Sequence, residues 1–300
     1  MSSTIEREPQ LSVVVASMNG YAYLSECLAA LYDDCPCAEV IVADSTDDET
    51  RQRIRMRFPA VEIIAFERPT AVPTLRAAGI TAARAPYVAV IEDPCVVTQG
   101  WCNCVIDAHR RGHSIVGGPI RNGATDRVRD WAAFLCEYSD YLEPVPAGSR
   151  STMVGMNVSY DRRALDALRE LLPDGHWEFP LHAWLRSVGF QLHSEQTMAI
   201  EYLKTYGFRE FFVQSFDYSL SFARVRSNRL GWRRVVYAVG SPLLVPYLYA
   251  RIARNVLGRR RFRKELLLAT PLLAVYLTAC AAGQMLGYGI GPMTQARKAA

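Results

Sequence analysis

The sequence predicts an α/β fold: a mostly parallel, doubly wound sheet followed by C-terminal membrane-associated helices. Three observations carry that reading. Short β-branched apolar runs alternate with helical segments four times within about the first ninety residues. Three of those runs close on polar or acidic residues, at Asn19, at Asp44 with Asp48, and at Glu92 with Asp93. The basic residues and two apolar stretches crowd into the last third of the chain.

The elements follow in order. Leu11 to Ala16 is a buried strand that ends in the turn chemistry of Ser17-Met-Asn-Gly20. Leu24, Leu28 and Leu31 recur at helical spacing, so Tyr21 to Tyr32 reads as a helix packed on the sheet. Glu39 to Ala43 is a second buried strand, Arg51 to Phe58 a basic helix and Val61 to Ala65 a third strand. Thr74 is the expected N-cap of a helix running to about Arg84, in which Ala77 and Ala78 allow close packing. Tyr87 to Ile91 has the continuous apolar character of a central parallel strand. It stops at Glu92-Asp93 and Pro94, which cannot donate to a continuing ladder. Gly100 and Trp101 open a helix to Arg111, and Asp126 to Tyr141 reads as a helix whose Trp131, Phe134, Leu135 and Tyr138 share one side for core packing. Arg121 to Arg129 and Pro144 to Thr152 read as loops able to close over a ligand.

Three hundred residues suffice for a sizeable core, and the net charge is +4. Met1 to Gln10 has no apolar core, so no signal peptide is expected, and the eight cysteines are expected to be reduced thiols. The Cys35-Pro-Cys37 and Cys102-Asn-Cys104 pairs are too tightly spaced for an ordinary structural zinc site. In an open α/β sheet, ligands bind outside the carboxyl ends of the strands, so the three polar strand ends imply a nucleotide-binding crevice. Neither a dinucleotide fingerprint nor a P-loop is present.

Taken together these segments resemble the inverting glycosyltransferases of family 2, which have the GT-A Rossmann-like fold. The resemblance rests on Leu11 to Gly20 as the opening strand and turn, with Met18 in place of the usual Tyr, and on Asp44-Ser-Thr-Asp-Asp-Glu-Thr50 as a D-x-[ST]-x-D-x-T motif. It continues through Arg76-Ala-Ala-Gly79, Glu92-Asp93-Pro94, Gly117-Gly118, Gly155-Met-Asn157 and Trp177-Glu178 with Leu185 and Gly189, and covers about Leu11 to Arg226. It implies a nucleotide-sugar donor, a UDP-sugar by preference, contacted through Ser17, Asn19, Asp44, Arg76 and Glu92. It further implies Mg2+ or Mn2+ held by Asp93, and Glu178 as the catalytic base, flanked by His176 and His182. Read without the resemblance, Glu178 simply opens an amphipathic helix and favours its dipole. Asn157 reads as a structural hydrogen-bonding residue. Two departures stand out: Pro94 replaces the third carboxylate of the metal motif, and Phe179 follows Glu178 where an Asp is common. No Gln-x-x-Arg-Trp segment of the processive synthases is present, which favours single sugar addition.

The last third mixes aromatic and basic residues from Tyr202 to Arg229, then carries Arg233 and Arg234 into the apolar run Val235 to Ala250. The basic run Arg251 to Lys264 precedes a second apolar run, Leu266 to Ile290, long enough to span a bilayer. Apolar runs beside the basic cluster fit a membrane surface better than nucleic acid. Gly240, Pro242 and Pro246 break the first run, which is expected to lie in the interface or re-enter, so that the basic loop stays cytoplasmic. If instead both runs are buried, the chain is a soluble oligomer. The expected organisation is a tail over 1–10, a glycosyltransferase domain over 11–205, a basic juxtamembrane segment over 206–234 and interfacial and transmembrane helices over 235–300. The expected partners are a lipid or lipid-linked acceptor and the cell membrane, with the catalytic domain on its cytoplasmic side and a homo-oligomer left open. Two alternatives accompany this reading. One is a non-catalytic GT-A-like membrane-associated binding or assembly protein, prompted by Pro94 and Phe179. The other is a nucleotidyltransferase, which would carry a Gly-rich basic loop after the first strand.

Overall fold

The computed structural model describes residues 8–67, 69–227 and 230–292. Most of the N-terminal tail, Arg229 of the basic segment and residues 293–300 lie outside them. The chain divides into two units. One comprises the described residues up to Gly123 together with Glu143–Leu203; the other comprises Ala124–Leu142 and the described residues from Lys204 onward.

The first unit opens with β1 (Leu11–Ser17), α1 (Tyr21–Asp34), β2 (Glu39–Asp44), α2 (Asp48–Arg57), β3 (Glu62–Ala65), α3 (Val72–Ala82) and β4 (Tyr87–Glu92). Next come β5 (Cys95–Val97), α4 (Trp101–Arg110), β6 (Ile115–Gly117) and β7 (Ile120–Asn122). After an excursion into the second unit, which holds α5 (Val128–Tyr138), it resumes with β8 (Gly148–Arg150), β9 (Asn157–Asp161) and α6 (Arg162–Leu168). It ends with α7 (Glu178–Ser187), β10 (Leu192–Ser194) and β11 (Ile200–Tyr202).

The large sheet has the order β3-β2-β1-β4-β9-β6-β10-β8. Its first four strands are parallel, as the alternating pattern predicts, and β9 inserts antiparallel between β4 and β6. A small sheet, β5-β11-β7, carries the chain on past Pro94. β1 is buried along its whole length because helices cover both faces of the sheet there, the condition for a continuous apolar strand. β3, the third strand expected, lies at the edge and is only half-buried, with Glu62 and Ala65 exposed. α3 departs from expectation. It begins at Val72 with Pro73 in its first turn and Ala71 before it, so Thr74 is inside the helix and caps nothing. α2 starts at Asp48, three residues earlier than expected, because the Asp47 side chain accepts a hydrogen bond from Thr50 N (2.8 Å) and caps it.

Close approach of α3 to the sheet is secured at Gly79, where a Cβ would fall on the Val14 side chain. Asn157 holds the middle of the unit together: Trp101 Nε1 donates to its Oδ1 (3.0 Å), and its amide donates to the carbonyls of Met198 (2.7 Å) and Pro119 (3.2 Å). It therefore has the structural role expected of it. The cysteine pairs are split. Cys35 and Cys102 lie thiol to thiol, Cys104 contacts the Thr197 hydroxyl (3.0 Å) and Cys37 is exposed.

The second unit adds α8 (Phe208–Ser227), α9 (Arg234–Gly240), α10 (Leu244–Gly258) and α11 (Arg263–Ile290). α5 belongs here, and Trp131, Phe134 and Leu135 are buried as expected; Trp131 packs on Phe262 at 5.0 Å between ring centroids. α8 buries Ser215, Ser219, Ala223 and Ser227, spaced four apart, against α11. At Gly283 and Gly287 of α11 a Cβ would meet the α8 backbone carbonyls of Phe216 and Leu220. The run expected to be broken by Gly240, Pro242 and Pro246 is interrupted after Gly240 by a 3-10 turn at Ser241–Leu243 that accommodates Pro242, with Pro246 in the first turn of α10, but stays helical from Gly231 to Gly258. By length and composition both this run and α11 could cross a membrane; the first is mostly exposed and the second nearly half-buried. The basic end of α10 is bonded to the turn after α5, where Asp140 accepts from Arg251 (2.8 Å) and Asn255 (2.6 Å).

Gly118, between β6 and β7, has no room for a side chain, because a Cβ would fall on the Met198 backbone carbonyl. Gly118→Ala is expected to destabilise the protein by about 1–3 kcal/mol, read as a lower midpoint in thermal or denaturant unfolding.

Candidate active site

Four predicted residues sit at the adjacent carboxyl ends of β2, β1 and β4. Ser17 pairs in register with Asp44, and Ala16 with Glu92, which Asp93 follows. Backbone bonds stitch these ends together: Ser45 N to Ser17 O (2.9 Å), Asp93 N to Ala16 O (3.0 Å) and Phe66 N to Asp44 O (2.7 Å). Gly20 closes the β1–α1 turn at φ 91°, the left-handed region that only glycine enters freely.

Because side chains alternate along a strand, Glu92 and Asp93 turn to different neighbours. Asp93 is buried against the β1–α1 turn, where its carboxylate accepts from Met18 N (3.0 Å), Asn19 N (2.6 Å) and Asn19 Nδ2 (2.7 Å). Asn19 and Asp93, each expected at the site in a separate role, are thus in direct contact. Burial pushes the Asp93 pKa up to about 6, against the opposing pull of those three hydrogen bonds.

Glu92 faces α3 instead. The Arg76 guanidinium, buried on α3, pairs with Glu92 on one side and with Glu178 on the other. Glu178 is the first residue of α7, so it does open a helix as its simpler reading supposes, and it also belongs to this ion cluster. Gly155 makes the cluster feasible: a Cβ there would occupy the space of the Glu178 carboxylate and of Arg76 Nη1. A cavity beside it is lined by Arg76, Gly155, Tyr160, His176 and Glu178.

His182 is buried, with Met153 N donating to its Nδ1 (3.3 Å) and its Nε2 bonded to the Tyr160 hydroxyl (2.9 Å). Burial, aided by the Arg76 charge, lowers its pKa to about 4, so it is a neutral packing residue with both nitrogens engaged. His176 is half-exposed beside Asp174.

Asp44 stands apart from this cluster. It is fully buried and accepts from Thr46 Oγ1 (2.8 Å), Thr46 N (3.2 Å) and Arg51 Nε (2.8 Å). Arg51 also reaches the carbonyls of Thr46 and Phe66 (both 3.1 Å), so the whole motif folds around it. Ser17 Oγ is buried without a hydrogen-bond partner among the described residues, an unsatisfied polar group next to Asp44. Sequence reasoning did not identify Arg51 as the partner of Asp44, although it lies in the first turn of the adjoining helix. It also missed the requirement for a bare backbone at Gly155, for which Gly-Met-Asn was the available signal.

A largely parallel sheet of this order, with acidic strand ends and an ion cluster over β4, is of the kind that binds ligands outside the carboxyl ends of its strands. The family model described as glycosyl transferase family 2 matches residues 12–169, and the chain belongs to that family. It is therefore a nucleotide-sugar-dependent glycosyltransferase, and the non-catalytic and nucleotidyltransferase alternatives fall away. Among solved structures it is similar to the mannosyltransferase PcManGT from Pyrobaculum calidifontis in complex with GDP-Man and Mn2+, with TM-score 0.54, 16% identity, and coverage of 93% of this chain and 87% of that one. It is also similar to GalNAc-T7 with UDP, GalNAc and Mn2+, with TM-score 0.50, 14% identity, and coverage of 66% and 44%. At these identities the likeness shows the GT-A fold that the motifs imply. No curated protein sequence matches the chain significantly.

The raised Asp93 pKa has a measurable sign. Between its unfolded value of 3.8 and about 6, the folded state keeps a proton that the unfolded chain has released, so stability falls as pH rises through that window and levels off above it. Relative to Asp93→Asn, the wild type is expected to lose about 2–3 kcal/mol of unfolding free energy between pH 4 and pH 7. Parallel pH profiles for the two proteins would refute the assignment.

Proposed function

We propose that the protein is an inverting, single-addition glycosyltransferase in which Glu178 takes the proton of the acceptor hydroxyl. The observation that carries this reading is the convergence of Glu92 and Glu178, from β4 and α7, on the one guanidinium of Arg76 at the carboxyl end of the central sheet. As the acceptor oxygen attacks the anomeric carbon, Glu178 accepts its proton. The nucleotide diphosphate leaves with the electron pair of the broken C–O bond from the opposite face, so the configuration inverts. Arg76 orients Glu178 and supplies fixed positive charge near the leaving phosphates.

Ser17, Asn19, Asp44, Arg76 and Glu92 line the donor side in this reading, and the unpartnered Ser17 Oγ is a hydrogen-bonding group left for the nucleoside. A UDP-sugar is the preferred donor, with GDP-sugars the direct competitor, since the two similar structures hold UDP and GDP-Man. The donor set fits a hard divalent cation, Mg2+ or Mn2+. Glu92 engages Arg76 through Oε1 alone, and the three hydrogen bonds to Asp93 leave one of about four lone-pair positions on its carboxylate. Asp93 would hold the ion through that remaining position, with Pro94 fixing the turn after it. When bound, such an ion neutralises charge on the departing diphosphate.

The acceptor is a lipid or lipid-linked sugar at the cytoplasmic face of the cell membrane. The exposed apolar side chains of Val235, Val236, Val239, Leu243 and Tyr247 support membrane contact along Gly231 to Gly258, with the arginines that follow at the anionic surface. The domain organisation expected from sequence is carried forward with this proposal, and a homo-oligomer remains open.

Calorimetry with UDP and GDP, with and without Mn2+, is expected to show metal-dependent binding of one nucleotide that is lost in Asp93→Ala; no binding of either to folded protein would refute the donor site. Glu178→Gln is expected to slow transfer by about 10²–10⁴-fold while leaving donor binding intact, whereas an unchanged rate would remove Glu178 from the chemistry. In a variant stripped of reactive thiols, Gly258→Cys is expected to label from the cytoplasmic side alone.

A further inference from the structure

We infer that His113, His193 and Glu195 form a metal site, separate from Glu92 and Asp93, for a borderline divalent ion such as Zn2+. The three residues offer ligand atoms that all lie within 4.8 Å of one another, and each is half-buried, so the cluster is held by the fold yet open to solvent. His193 lies on β10, His113 just before β6 and Glu195 just after β10, and both strands lie across β9 from β4 and its carboxylates.

Rigid elements place each ligand. His113 follows Gly112, whose φ of 94° makes the tight turn out of α4, and its own N–H bonds to Ala108 O (3.3 Å). The His113 carbonyl is bonded to His109 Nδ1 (2.7 Å), and His109 Nε2 to the Ser159 hydroxyl (2.9 Å). His193 lies on β10 in register with Val116, and Glu195, two residues on, shares its face because side chains alternate along a strand. Glu195 is fixed in turn by its N–H bond to Gly117 O (2.9 Å).

The imidazoles of His113 and His193 stack at 3.6 Å between centroids with 9° between planes. His193 Nε2 stands 3.4 Å from Glu195 Oε1, beyond a good hydrogen bond. Tetrahedral Zn2+ with bonds of about 2.0–2.1 Å places its ligand atoms roughly 3.3 Å apart. To take an ion the two rings must swing out of their stack so that their in-plane nitrogen lone pairs converge, while the ligand atoms close by up to about 1.5 Å. Two imidazoles and one carboxylate select Zn2+, Co2+ or Ni2+ over Mg2+ or Ca2+, and three protein ligands leave a fourth position for water. The competitor is Arg111, which pairs with Glu195; its side chain is half-exposed and can swing into solvent when the ion enters. A bound ion would clip the turn after α4 to β10.

The test is a Co2+ titration of the purified full chain at pH 7.5 in excess Mg2+, read by visible ligand-field absorption. Saturation at one equivalent is expected, lost in both His113→Asn and His193→Asn and retained in Asp93→Asn. Zn2+ is expected to bleach the signal and, at about a hundred times its Kd, to raise the wild-type Tm by roughly 5–10 °C but leave His193→Asn unmoved. Absence of saturable binding, binding that persists in both histidine variants, or a thiolate charge-transfer band in place of the imidazole spectrum would overturn the assignment.

Discussion

Arg76 is a buried cation, and the first unit is arranged to compensate it. Removing a guanidinium from water costs several kcal/mol unless carboxylates are close and well placed. Two are supplied, Glu92 from the end of β4 and Glu178 from the start of α7, so α3, β4 and α7 must meet at one point. That meeting leaves no volume for a side chain at Gly155 and fixes the segment leading into β9. Asp93, one residue beyond Glu92, is turned away from the cluster and holds the β1–α1 turn by its hydrogen bonds to Met18 and Asn19. The end of the central strand thus divides its two acidic side chains between two tasks, one bracing an ion cluster and one closing a turn.

The parallel core was legible because strands covered on both faces carry few polar side chains, so β1, β2 and β4 show the apolar runs Val13 to Ala16, Val40 to Ala43 and Val88 to Ile91. The location of the site was legible for the related reason that polar residues return where those strands leave the core. Less legible was which partner each carboxylate takes. Asp44 meets Arg51 and Glu178 meets Arg76, pairings that depend on how helices dock and leave no periodic trace. The three-residue strands β5, β7 and β11 are too short to show alternation, so the small sheet was invisible. Thr74 was a plausible cap, but Pro73, with its fixed φ, already suits the first helical turn and moves the start forward. The membership of Ala124–Leu142 in the second unit depends on α8, α10 and α11, which lie far along the chain, and no local pattern reports it.

The family assignment and the ion cluster bear on different questions. Membership identifies the reaction as sugar transfer from a nucleotide sugar. The cluster enters only through the proposed site, in which Arg76 stands as a fixed positive charge beside Glu92 and Glu178. A site of this kind has part of its electrostatic stabilisation built into the protein before any ligand arrives, and such preorganisation is where enzymes gain most.

The pairing of α8 with α11 has its own consequence. Gly283 and Gly287 let the two backbones touch, so much of the attraction between these helices comes from dense van der Waals contact. Contact of that kind does not depend on expelling water, as burial of large apolar side chains does. The helix pair should therefore hold its geometry in lipid, in a detergent micelle or at an aqueous boundary, giving the second unit a frame insensitive to the solvent on either side of it.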